Sequence, residues 1–125
     1  MNGKQETIRQ ALVVLGAHLK EIHTVKEWAE RMGYHSADGF SRIYFRRFNE
    51  RPVKAIETAR VLRILDLILL QPDLSGYEIA WETGLEDEKA LYSFLIYHTG
   101  MNLNELRTLM NGSSSSRKSE ISDRN

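Results

Sequence analysis

Apolar residues recur at three- and four-residue intervals along most of the chain, and helix-start and helix-stop residues punctuate them. Ile8, Ala11, Leu12, Leu15 and Leu19 predict a first helix over 6–19. Thr24, with Glu27 three residues on, forms a capping-box pattern. It opens the short helix VKEWAERM, which Gly33 closes. Ser36 caps the next helix, Ala37 to Phe48, on which Phe40, Ile43, Tyr44 and Phe48 form the stripe expected to be buried. The stretch PVKAIETARVLRILDLILL, Pro52 to Leu70, predicts one long helix. Pro52 suits its first turn, and the Gln71-Pro72 pair ends it. Its second half is apolar on nearly every side, so cover by protein on several faces is expected. Its apolar run is roughly half the ~20 residues that a bilayer needs. Arg63 and Asp66 also interrupt it and are expected to form a solvated pair.

The second half repeats the theme. Ser75 and Glu78 are a second capping box, and GYEIAWET runs to Gly84. Glu86-Asp87 cap a helix from Glu88 to His98, Gly100 punctuates it, and a last helix covers about Leu103 to Met110. The remainder, NGSSSSRKSEISDRN, is polar and Ser-rich and is expected to be disordered. The expected fold is all-α, with about seven helices and no alternating β-branched run. Its parts are 1–51, a linker helix at 52–71, a second subdomain at 72–110 and a tail at 111–125.

The two halves align without a gap at an offset of 51. Thr24 matches Ser75, Glu27 matches Glu78, Ala29 matches Ala80 and Gly33 matches Gly84. Tyr34, Phe40, Ile43 and Tyr44 match Leu85, Leu91, Phe94 and Leu95. Each unit is therefore a short helix, a Gly-containing turn and a second helix. A small residue is needed where two helices cross closely, and the turn needs positive φ. One A-x-x-x-G is a weak signal, whereas two with matching caps and apolar positions are a strong one. The plainer alternative is a pair of helical hairpins serving as scaffold.

Composition narrows the class. Cysteine is absent, which excludes disulfides, thiolate chemistry and Cys-based zinc sites; a cytoplasmic setting is expected. No glycine-rich phosphate loop, HExxH motif or nucleophile with a base is present, so neither an enzyme nor a cofactor is expected. His18, His23, His35 and His98 read as surface or boundary residues and not as metal ligands. Trp28 and Trp81 flank the repeated alanines and are expected in a core or a lobe contact. Net charge is zero, but residues 1–71 carry 12 basic against 8 acidic side chains, and residues 72–125 carry 5 against 9. The first half suits nucleic acid, and the second would be repelled by it.

The segments TVKEWAERMGYHSADGFSRIYFRRFNERP (24–52) and LSGYEIAWETGLEDEKALYSFLIYHTGMNLNELR (74–107) resemble the DNA-binding domain of the AraC/XylS transcription regulators. The resemblance rests on Gly33-Tyr34, Phe40-Ser41-Arg42, Tyr44, Arg46, Phe48 and Pro52, and is looser in the second half. It implies two helix-turn-helix subdomains joined by a long linker helix, double-stranded DNA as partner, and transcription regulation as function. RNA polymerase or another regulator protein is the further partner that such a role brings. The second helix of each unit would enter the major groove. Asp38, Ser41, Arg42 and Arg46 are then the candidate base-contacting residues, with Arg42 able to bond guanine O6 and N7 together. Thr24, Phe45 and Arg47 are the candidate backbone contacts.

In the second unit Ser93 stands at the position of Arg42, and Tyr97 and His98 stand at those of Arg46 and Arg47. Phe45 and Ile96 occupy the position where the family usually carries a lysine. Lys89, Tyr92, Ser93, Ile96 and Tyr97 are this unit's candidates, for DNA or for a protein partner. Glu86, Asp87 and Glu88 precede them and oppose phosphate. Base readout mainly by the first unit is therefore expected. The alternative is a protein-interaction module on a helix-turn-helix scaffold that binds DNA weakly or not at all.

Overall fold

A computed structural model describes residues 7–112. Residues 113–125 of the expected tail lie outside it. Among the described residues there are seven α-helices and no strand. They are α1 (Ala11–Ala17), α2 (Val25–Arg31), α3 (Ala37–Phe48), α4 (Pro52–Leu70), α5 (Gly76–Glu82), α6 (Glu88–Thr99) and α7 (Leu103–Arg107). No helix among these residues is long and apolar enough to cross a membrane. The chain divides into two compact units, Met1–Arg60 and Val61–Asn125.

The repeat holds to the residue. Helices α2 and α3 begin and end 51 residues before α5 and α6. Gly33 and Gly84 take positive φ, at 86° and 78°, and so let the chain leave the first helix of each pair. In both turns the next residue's N–H reaches back to the repeated alanine, Tyr34 to Ala29 O and Leu85 to Ala80 O, each at 2.9 Å. Capping boxes form at Thr24–Glu27 and Ser75–Glu78, and a third, which sequence reasoning missed, forms at Asn102–Glu105. Its N-x-x-E spacing was a legible signal.

In the first unit an aromatic core is built on Trp28, whose ring centroid lies 5.1 Å from those of both Phe40 and Tyr44. The indole Nε1 donates to Ala11 O at 3.1 Å. Ala11, Leu15, Ile22, Met32 and Ile56 complete this core. Burial, with the Glu50 carboxylate adding, pushes the Tyr44 phenol from 10.0 up to about 12. A raised folded-state pKa favours the protonated form. Its stabilisation is therefore intact below pH 10 and lost as pH rises through about 12. Tyr44→Phe is expected to flatten the alkaline loss of stability in that interval, measured by denaturant melts at stepped pH.

Three sequence expectations are corrected here. The first helix does not run over 6–19. A 3₁₀ turn at Ile8–Gln10 leads into α1, which stops at Ala17. Gly16 weakens its end, and the carbonyls of Leu19 and Ile22 accept bonds from the buried Arg60 guanidinium at 3.2 and 2.9 Å. Second, α4 is not covered on several faces. It buries one stripe, with Ala55, Ile56 and Arg60 in the first unit and Ile64, Leu67 and Ile68 in the second, while Leu62, Leu69 and Leu70 are exposed. No ion pair joins Arg63 to Asp66 among the described residues. Third, the last helix is α7 followed by a π-helical turn at Thr108–Gly112.

The second unit's core is aliphatic, made of Ile64, Leu67, Ile68, Ile79, Ala80, Leu91, Leu95, Leu103 and Leu106. Trp28 is a core residue, but Trp81 lies in neither core and is 63% exposed. The repeat explains the difference, since Trp28 is matched by Ile79 and Trp81 by Glu30.

Candidate nucleic-acid interface

Helix α3 starts at Ser36, whose hydroxyl oxygen accepts from the Gly39 N–H at 3.0 Å. It ends at Asn49, which adopts the left-handed conformation at φ 56°. Phe40 and Tyr44 are buried, and Ile43 and Phe48 are half-buried, as the apolar stripe requires. The opposite face is wet. Asp38, Arg42, Phe45 and Arg46 are exposed, and Ser41 is half-buried. All five line one open groove of about 800 Å³. Val25, at the start of α2, and Arg51, Pro52 and Val53, at the start of α4, form its other edges.

Arg42 and Arg46, one helical turn apart, also border a second hollow beside Tyr34, His35 and Ser36. The two guanidiniums thus stand between two depressions, free of any ion pair among the described residues. Arg47 lies outside both hollows, with its guanidinium 5.5 Å from the centroid of the Phe48 ring. Thr24 is outside the groove but adjoins Val25. Its Oγ1 accepts from the Glu27 N–H at 3.1 Å, and Glu27 Oε1 accepts from the N–H groups of Thr24 and His23 at 3.0 and 2.8 Å. The His23 N–H is the main reason that the Glu27 carboxyl titrates below its ordinary range. The Thr24 hydroxyl, used here as an acceptor, keeps its hydrogen for an outside acceptor.

Sequence reasoning missed Val25, Arg51, Pro52 and Val53 as groove residues. The repeat extends to their counterparts. Adding 51 to Ser41, Arg51, Pro52 and Val53 gives Tyr92, Asn102, Leu103 and Asn104, and these four line a hollow of only about 250 Å³.

The side chains account for the loss of volume. Tyr92 replaces Ser41 and Glu88 replaces Ala37, and the Tyr92 hydroxyl donates to Glu88 Oε2 at 2.9 Å. That bond is the main cause of the raised Tyr92 phenol pKa. The pair lies over the start of α5. A methyl group at Gly76 would stand 2.7 Å from Glu88 Oε2 and 3.0 Å from the Tyr92 hydroxyl, so a side chain such as the valine at the matching position of the first unit would push the Glu88 and Tyr92 tips aside. Lys89, Ser93, Ile96 and Tyr97 are exposed on the remaining face of α6, Tyr97 by 83%. Among the described residues no group of three His, Asp or Glu side chains is placed to hold a metal ion.

The chain thus carries two helix-turn-helix units, the first with an open arginine-bearing groove and the second with a smaller hollow at the matching positions. Solved structures carry the same fold. The DNA-binding domain of AdpA, a global transcriptional factor in complex with a target DNA, is 21% identical with a TM-score of 0.70, over 95% of this chain and all of that one. The C-terminal domain of AraT, a response regulator from Geobacillus stearothermophilus, is 18% identical with a TM-score of 0.73, over 86% of this chain and 88% of that one. A transcriptional regulator of AraC type from Chromobacterium violaceum is 21% identical with a TM-score of 0.65, over 81% and 88%. No protein-family model matches the chain, and no curated protein does. The chain has the tandem helix-turn-helix fold of the AraC-type DNA-binding domain.

Proposed function

We propose that this protein is a transcription regulator that binds double-stranded DNA, with base readout mainly through α3. The observation that carries the proposal is the open groove on α3, with Arg42 and Arg46 presented at its rim and unpaired among the described residues. The arginines on it suit phosphate as well as guanine. Similarity in fold to a domain solved on its target DNA supports the same function. In this proposal Arg42 reads a guanine, Asp38, Ser41 and Arg46 contact bases, and Arg47 and Thr24 hold the backbone.

The second unit contributes little to base readout, because its hollow is smaller, Tyr92 and Glu88 stand where the first unit has Ser41 and Ala37, and the acidic start of α6 repels phosphate. Its exposed Ile96 and Tyr97 favour a second role for that face, contact with a protein such as RNA polymerase or another regulator.

Charge reversal at matched positions tests the assignment. Arg46→Glu is expected to weaken binding to a random-sequence duplex at least about tenfold and to flatten its salt dependence. Lys89→Glu on α6 is expected to leave both nearly unchanged. Equal losses from the two variants would count against readout by one unit.

A further inference from the structure

The family position that usually carries a lysine is Phe45 here, and that places it among the backbone contacts. A phenyl ring has neither charge nor donor for a phosphate oxygen. Its surroundings point elsewhere. Phe45 is 50% exposed and is part of an apolar patch on the groove, not a lone surface ring. On α3 it lies between Ser41 and Arg42 in angle, in the middle of the outward face. It lines the groove with Val25, Pro52 and Val53, so one wall of an otherwise cationic hollow is apolar.

We propose that Phe45 reads thymine: its ring meets the C5-methyl group of a thymine one base-pair step from the guanine taken by Arg42. This rests on the DNA-binding function proposed above. In the major groove the C5-methyl of thymine is the apolar mark on a base edge, and phenylalanine is among the side chains that contact it. Arg42 and Phe45 are three residues apart on α3 and so stand side by side on one face. An arginine beside an exposed ring therefore addresses two neighbouring base pairs, one by hydrogen bonds and one by shape.

The test uses the whole chain. Wild type first selects duplexes from a random-sequence library. Each thymine of the selected motif is then replaced by deoxyuridine, which removes one methyl group and leaves every hydrogen bond intact. Uracil beside the selected guanine is expected to weaken binding about three- to fivefold, the effect of one buried methyl. Phe45→Ala is expected to bind thymine and uracil duplexes equally. Three results would overturn the proposal: no thymine next to the guanine, no effect of uracil, or the same uracil effect in Phe45→Ala. If no motif is selected, the DNA-binding function itself fails, and this inference fails with it. That outcome is distinct, because no duplex then exists in which to place uracil.

Discussion

Trp28→Ala is expected to unfold much of the first unit. Trp28 is fully buried, its ring centroid stands 5.1 Å from those of both Phe40 and Tyr44, and its indole N–H donates to Ala11 O. Removing a core tryptophan costs about 3–5 kcal/mol, and the indole's bond to Ala11 O is lost with it. Small domains hold about 5–15 kcal/mol in all. The melting temperature should fall by roughly 15 °C or more, read by circular dichroism. Trp28→Phe keeps a ring between Phe40 and Tyr44 and should lose less. A melt shifted by only a few degrees in the alanine variant would mean that the indole does not organise the core. Because this core positions α3, DNA binding should fall with it.

Arg42→Ala carries the largest expected effect on recognition. One bidentate arginine–guanine contact discriminates by about 1–3 kcal/mol, which is about fivefold to 150-fold in affinity. The loss should be concentrated on the selected sequence, with random duplex bound almost as well as before. Arg42→Lys should not restore selection, because an ammonium lacks the planar fork. Competition titrations of selected against scrambled duplex measure this directly. A uniform loss across all sequences would instead make Arg42 a phosphate contact.

The fold was largely legible in the sequence because its determinants are local. The caps Thr24, Ser36 and Ser75, the turn glycines Gly33 and Gly84, and Pro52 each act through neighbours within a few residues. The repeat then fixed which apolar positions share a core. What was not legible depends on distant partners. Nothing near Leu19 or Ile22 shows that Arg60, about forty residues on, takes their carbonyls and draws that segment off the helix. Composition alone made α4 look covered all round, whereas only one stripe has partners to meet.

The site divides in the same way. The outward face of α3 follows from periodicity, so Asp38, Ser41, Arg42, Phe45 and Arg46 could be named as a set. The groove walls come from the starts of α2 and α4, which periodicity on α3 does not reveal. The smaller hollow of the second unit involves Tyr92 and Glu88, bonded to each other and close to Gly76, a three-residue arrangement across two helices.

The most direct test of readout by one unit is the length and number of conserved blocks that the intact protein selects from a random-sequence duplex library. The account predicts one short block of a few base pairs containing the guanine read by Arg42. Two blocks spaced by about one helical turn, about 10 base pairs, would show that α6 reads bases as α3 does and would contradict the account. The absence of any block, with no binding even at low salt, would contradict the DNA-binding function itself.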